Sequence, residues 1–223
     1  MIRIIPIPDE GENSIRHNRS RDIPKLRLGA SSTLTRYVLL SHLEKYISRF
    51  PHVRITISCQ STYQTLHLLD EEKIDLGLIG RPQKLRGYYF HPLLKIRDTF
   101  VCTRQYLENQ KKLYPDEPLI QAATFMMLDE DNITRQTVNA QLKEHHVELS
   151  HILEVTTMDL LIQFAEIGLG IACVIRDFVK KELEEGTLVE VPVGFSFPPR
   201  EIGFVCRQKD ANLDLIVPFF GEE

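Results

Sequence analysis

Apolar residues in this chain come in short runs set off by polar turns, and the pattern starts abruptly at Leu26. Leu26-Arg27-Leu28-Gly29-Ala30 reads as a strand, and Ser31-Ser32-Thr33 follows at once. Behind it Leu34, Tyr37, Val38, Leu39, Leu40, Leu43, Tyr46, Ile47 and Phe50 recur at helical spacing, so a helix to about Arg49 is predicted. Pro51 ends it. Val53-Arg54-Ile55-Thr56-Ile57 alternates at period two, Gln60-Ser61-Thr62 forms a second polar turn, and a helix with Leu66, Leu68 and Leu69 leads to a third strand over 75–79. That strand is apolar on both faces, which predicts a central, parallel position. The first third is therefore β-α-β-α-β, a parallel sheet with right-handed crossovers.

The second half repeats this plan without repeating the sequence. Thr124–Leu128 reads as a strand, Asp129–Asn132 as a turn, Ile133–His146 as a helix, and His151–Val155 as a strand. Thr156-Thr157 caps a helix over 160–167, and an apolar strand runs over 169–175. A charged helix over 178–185 stops at Gly186, and a strand covers 188–191. Tyr88–Ile96 reads as an edge strand with a bulge at Pro92. Two similar strands, 98–103 and 201–206, are placed to carry the chain between halves, and 210–220 is predicted as an amphipathic helix. The expected organisation is a flexible leader at 1–25, a first lobe from 26–97 plus 202–223, and a second lobe at 98–201. An Ile-rich edge strand over Arg3–Ile7 is the alternative for the leader. The stripe on helix 34–50 is wider than one contact needs. A single deep core contact and a second burial against another subunit both account for it.

Composition narrows the class. The chain has 223 residues, 43% of them hydrophobic and 26% charged, with a net charge of -4. This suits one large or two small globular domains and argues against a nucleic-acid surface. No run approaches the length of a membrane span, and the N-terminal residues lack a signal-peptide pattern, so a cytoplasmic location is expected. The four cysteines, at 59, 102, 173 and 206, have no CxxC spacing and lie in or beside apolar runs. Buried free thiols are the plain expectation; a thiol sensor, with Cys59 first, is the alternative.

The chemistry lies at four polar turns: Ser31-Ser32-Thr33, Gln60-Ser61-Thr62, Asp131-Asn132 with Thr134, and Thr156-Thr157. Each precedes a helix. In open α/β lobes ligands sit at the carboxyl ends of strands, where helix N-termini offer unpaired N–H groups to a small anion. Ordinary N-capping explains any one turn; two turns per half suggest a clamp. Arg36 and Arg135, one turn into their helices, are candidates for an anionic ligand or for surface ion pairs. Asp129-Glu130-Asp131 is a cation site or a solvated loop, and His145-His146 reads as exposed. There is no GxSxG, HExxH, P-loop or GxGxxG motif, so no catalytic residue, metal or cofactor is expected.

Two segments carry a resemblance. The run LRLGASSTLTRYVLLSHLEKYISRFPHVRITI followed by QSTYQTLHLLDEEKIDLGLIG, and the later VTTMDLLIQFAEIGLGIACVIRDFVKKELEEGTLVEVPV, resemble the effector-binding domain of LysR-type transcriptional regulators. The resemblance covers about 26–220. It implies an α/β, type 2 periplasmic-binding-protein-like fold: two Rossmann-like lobes, a hinge and a central cleft for a small-molecule effector. It implies effector contacts at Ser31, Ser32, Thr33, Thr62, Asn132, Thr134, Thr156 and Thr157. It also implies a homodimer or tetramer, lobe one of one chain against lobe two of the next; the helix N-termini and hydroxyls favour a small anion or carboxylate as effector. The family's winged helix-turn-helix and linker helix have no counterpart in this sequence, so DNA binding is expected only through such a domain. The rival readings are a solute-binding protein for transport and an enzyme on the same fold.

Overall fold

The computed structural model describes residues 23–221. The leader and the alternative strand at Arg3–Ile7 therefore fall outside the described residues, except that Lys25 already opens β1. Two five-stranded sheets form the frame, in the orders β2-β1-β3-β10-β4 and β7-β6-β8-β5-β9. The first sheet takes β1 (Lys25–Ala30), β2 (Arg54–Cys59), β3 (Leu76–Gly80), β4 (Tyr88–Ile96) and β10 (Arg200–Arg207). The second takes β5 (Asp98–Cys102), β6 (Thr124–Met127), β7 (His151–Glu154), β8 (Ile171–Ile175) and β9 (Val189–Glu190). In each, three strands are parallel and the strand beside them is antiparallel: β10 against β3, and β5 against β8.

Side-chain alternation explains the layers. In the first sheet Leu26, Leu28, Leu76, Leu78, Ile202 and Phe204 point to one face, where they join Leu34, Val38, Leu39, Leu43 and Tyr46. Those five belong to α1, a helix over 32–49 made of Ser32–Leu34, a π-turn at Thr35–Leu39 and Leu40–Arg49. Ile79 and Val205 point the other way, onto Leu66 and Leu69 of α2 (Thr62–Asp70). This is why β3 is apolar on both faces. In the second sheet Val101, Met126, Ala172 and Val174 meet Met158, Leu161 and Ile162 of the helix at Met158–Glu166. Phe100, Phe125, Ile171 and Cys173 meet Val138 and Leu142 of the helix at Ile133–Glu144. In chain order these two helices are α6 and α5, after α3 (Arg104–Leu113) and α4 (Leu119–Ala122), with α7 at Lys180–Glu185. The inner faces of both sheets share one hydrophobic cluster, so the lobes meet over a continuous apolar floor.

The chain crosses between sheets twice, at Arg97 and in the loop over 191–199, and Arg200 pairs with Ile96 where the two crossings lie side by side. Arg200 and Glu201, placed in the second lobe by the sequence pattern, are already strand residues of the first sheet. The register shift beside Pro92 falls at Gly203, where a Cβ would stand 2.2 Å from His91 O; only glycine fits so close an approach.

Two local expectations fail. Residues 210–220 form no helix: short 3₁₀ turns at Gln208–Asp210 and Val217–Phe220 flank an irregular segment. Pro218 cannot donate to a helical ladder, and the Asp210 side chain is held by Arg207 Nε. Cys59 is exposed rather than buried, because it ends β2, an edge strand with no fully buried residue. The other three cysteines are buried. Burial pushes Cys102 up to about 12 and Cys206 to about 11, and Cys173 well above the usual thiol range, which removes thiolate reactivity.

Candidate functional site

The turns that follow β1, β2, β6 and β7 each supply a polar residue that caps the next helix. Ser31 Oγ accepts from Leu34 N at 3.1 Å and Ser61 Oγ from Gln64 N at 3.4 Å. Asn132 Oδ1 accepts from Thr134 N at 2.9 Å and Thr157 Oγ1 from Leu160 N at 3.4 Å. Ser61 completes a capping box, with its own N–H donating to Gln64 Oε1. These four residues are structural caps first. The hydroxyls next to them are different: among the described residues, none of Ser32, Thr33, Thr62 and Thr156 has a side-chain hydrogen bond to the protein.

All of these converge. Ser31, Ser32, Thr33, Thr62, Asn132, Thr134, Thr156 and Thr157 line one cavity of about 80 Å³ between the lobes, so the structure brings the whole sequence-predicted set together. Ser32 and Thr156 stand at its exposed rim; Thr33, Thr62 and Thr134 lie buried at its floor. Leu128, Met158, Ile175 and Ile202 give an apolar wall. Larger grooves exist, about 460 Å³ under residues 192–197 and about 530 Å³ beside Arg81–Lys84, but neither is lined by the capping residues Ser31, Ser61, Asn132 and Thr157.

The one charged group in the cavity lining is Arg200. Its Nε and Nη2 donate to Asp98 Oδ2 and Oδ1 at 2.7 and 2.8 Å, and Nη2 also donates to Thr134 Oγ1 at 2.7 Å. A two-pronged guanidinium–carboxylate pair of this kind holds both charges in place. The arginines singled out from sequence are elsewhere. Arg135 is buried, but Nη1 donates to Leu128 O at 2.8 Å and Nε to Asn139 Oδ1 at 3.0 Å, which fixes α5 against the end of β6. Arg36 is exposed and reaches Asp159 at 3.4 Å across the mouth of the cleft. Tyr63 Oη donates to Gln136 at 3.0 Å, and Tyr37 stacks on Phe178 with centroids 4.4 Å apart, so three contacts join the lobes around the cavity.

The acidic turn at 129–131 forms no metal cluster: no group of three or more His, Cys, Asp or Glu suited to an ion occurs among the described residues. His145 stacks on Phe195 at 4.1 Å, and His146 is exposed. No helix of the described residues is long and apolar enough to cross a membrane.

With this geometry in hand, comparison with known proteins decides the family. The model described as LysR substrate binding domain matches residues 20–220. The chain belongs to the LysR family. Among its LysR relatives, the uncharacterized HTH-type transcriptional regulator YeiE of Escherichia coli K12 is 24% identical over 75% of this chain and 57% of that protein. The HTH-type transcriptional activator CmpR of Synechocystis is 24% identical over 87% of this chain and 63% of its own length. The chain thus spans a little over half the length of these curated relatives. The regulatory domain of HypT from Salmonella typhimurium superposes with a TM-score of 0.72 at 15% identity, covering 89% of this chain and 92% of that one. The effector binding domain of QuiR, solved with shikimate, gives 0.68 at 12% identity, covering 87% and 92%. The two-lobed periplasmic-binding-protein-like fold is the LysR effector-domain fold.

Sequence reasoning missed Arg200 at the LysR cleft and named Ser61 in the second polar turn without counting it among the effector contacts. Ser61 was in plain view as the residue before Thr62. Arg200 had a weaker signal: Asp98 and Arg200 flank the two strands that read as lobe crossings, and opposite charges at paired crossings suit an ion pair.

Proposed function

We propose that this chain is the effector-sensing domain of a LysR-type transcriptional regulator, and that its effector is a small anion or carboxylate held between the lobes. The convergence of four helix N-termini from two lobes on one cavity carries this reading. Each terminus contributes partial positive charge and spare N–H groups. The unclaimed hydroxyls of Ser32, Thr33, Thr62 and Thr156 supply neutral donors and acceptors that fix orientation. Thr33, Thr62 and Ser32 belong to one lobe and Asn132, Thr134, Thr156 and Thr157 to the other, so a ligand touching both sets binds the closed arrangement better than an open one. That difference in affinity is what shifts lobe geometry. In the full regulator the shift acts on DNA through a separate domain, in the cytoplasm. The relatives named above carry the names of transcriptional regulators, which supports this reading.

The same reading includes a homodimer. Leu40 and Ile47 of α1 are 56% and 51% exposed, and Leu160 of α6 with Ile167 and Leu169 just beyond it are 38%, 75% and 46% exposed. These faces lie on different lobes, which suits a head-to-tail pair. The outer half of the wide stripe on α1 is thus assigned to the partner, while its inner half is core.

A thermal-shift screen of metabolites tests the ligand class. Small carboxylates are expected to raise the melting temperature. Stabilisation by cations or apolar compounds alone would overturn it.

A further inference from the structure

We propose that Arg200 reads the charge of the effector through Nη1, and that the effector is a compact hydroxylated monocarboxylate; this rests on the ligand class argued above. Arg200 opens β10 beside the last residue of β4, at the point where both crossings between the lobes lie together. Nε and Nη2 are committed to Asp98 and Thr134. Asp98, the first residue of β5, is 2% exposed, and the Arg200 side chain is 13% exposed. Nη1 has no hydrogen bond among the described residues. It stands 3.1 Å from where a Cβ on Gly80 would be, so the glycine at the end of β3 leaves the guanidinium edge open to the cavity that both residues line.

The charge balance sets the ligand. Arg200 and Asp98 together are neutral. One added carboxylate accepts from Nη1 and is met by the partial positive charge of the helix N-termini. The cavity is small, about 80 Å³, and is ringed by hydroxyls, which favours a short acid carrying its own hydroxyl. Since the guanidinium already spans the first sheet, β5 and α5, a carboxylate seated on Nη1 joins the pair at the crossings and favours the closed lobes.

The test is an amide NMR titration with two probes of equal shape, lactate and lactamide. The wild-type chain is expected to bind lactate roughly tenfold or more tighter than lactamide, with shifts at Gly80, Thr134 and Thr62. Removing Arg200 alone strands a buried Asp98, so the decisive variant is the double change Arg200→Gln/Asp98→Asn, which keeps a neutral hydrogen-bonded pair. It is expected to bind both probes within about threefold of each other, while Arg36→Gln, outside the cavity lining, keeps the preference for lactate. A lactate preference that survives the double change undiminished overturns the role of Arg200 and leaves the anion site standing. Failure of lactate to shift any cleft amide in the wild-type chain, or equal binding of the two probes there, overturns both.

Discussion

The first lobe brings Ser31-Ser32-Thr33 and Ser61-Thr62 to the cleft; the second brings Asn132-Ile133-Thr134 and Thr156-Thr157. The two sets arise from matching strand orders, yet they are not equivalent. In the first lobe the caps, Ser31 and Ser61, are followed by the buried residues Thr33 and Thr62, whose hydroxyls have no protein partner among the described residues. In the second lobe the buried hydroxyl, Thr134, is already taken by Arg200. The difference teaches that identical topology does not deliver identical chemistry. The first lobe offers neutral, uncommitted groups for orientation. The second is wired to the ion pair at the lobe crossings, so it is the side through which occupancy reaches the hinge.

Removing charge from the crossings should do the most damage. Asp98→Ala leaves the Arg200 guanidinium buried without its partner and is expected to cost about 3–5 kcal/mol, measured by denaturant unfolding. A loss below about 1 kcal/mol would mean that the pair behaves like a surface contact and that the two lobes differ less than argued. Within the first lobe, capping and binding should separate. Ser31→Ala loses a cap and is expected to cost about 1 kcal/mol. Thr62→Val keeps the shape, should change stability by less, and should weaken a stabilising carboxylate roughly fivefold or more. Equal effects on both measurements would erase the distinction between cap and free hydroxyl.

Alkaline pH sharpens the comparison through the buried thiols, two in the second lobe (Cys102, Cys173) and one in the first (Cys206). Their folded-state pKa values are raised, to about 12 for Cys102 and about 11 for Cys206. Unfolded thiols ionise near about 8.5. Folding therefore keeps protons that the unfolded chain releases, and stability is full below about pH 8.5 and falls as pH rises through the folded values. A Cys102→Ala/Cys173→Ala variant should lose less stability than wild type between neutral pH and pH about 11. The smallest effect is expected at the mouth. The Arg36–Asp159 pair is long and exposed, so Arg36→Gln should move stability by less than about 0.5 kcal/mol.

Much of this was legible in the sequence because it depended on local grammar. A Ser, Thr or Asn in the turn between a strand and an amphipathic helix is favoured at the N-cap, and parallel β-α-β order places the caps at one end of the sheet. The four polar turns from Ser31 to Thr157 followed from those two rules, and the family resemblance singled out the effector contacts within them. Arg200 did not, because its position depends on a contact between residues 102 positions apart, set by how the two crossings lie side by side. Arg135 misled for a similar reason: helical spacing put it near the turn, but the end of β6 offered its guanidinium the Leu128 carbonyl, inside the wall. The tail over 210–220 has apolar spacing fit for a helix, and Pro218 with the Arg207–Asp210 pair overrode it.

The claim that both lobes build one site is tested most directly by mapping amide shifts when the best-stabilising carboxylate from the thermal screen is added. Perturbations are expected to cluster at 31–33, 61–62, 132–134 and 156–157, in both lobes and saturating with one dissociation constant. Shifts confined to a single lobe, or gathered along the groove under residues 192–197 instead, would contradict it.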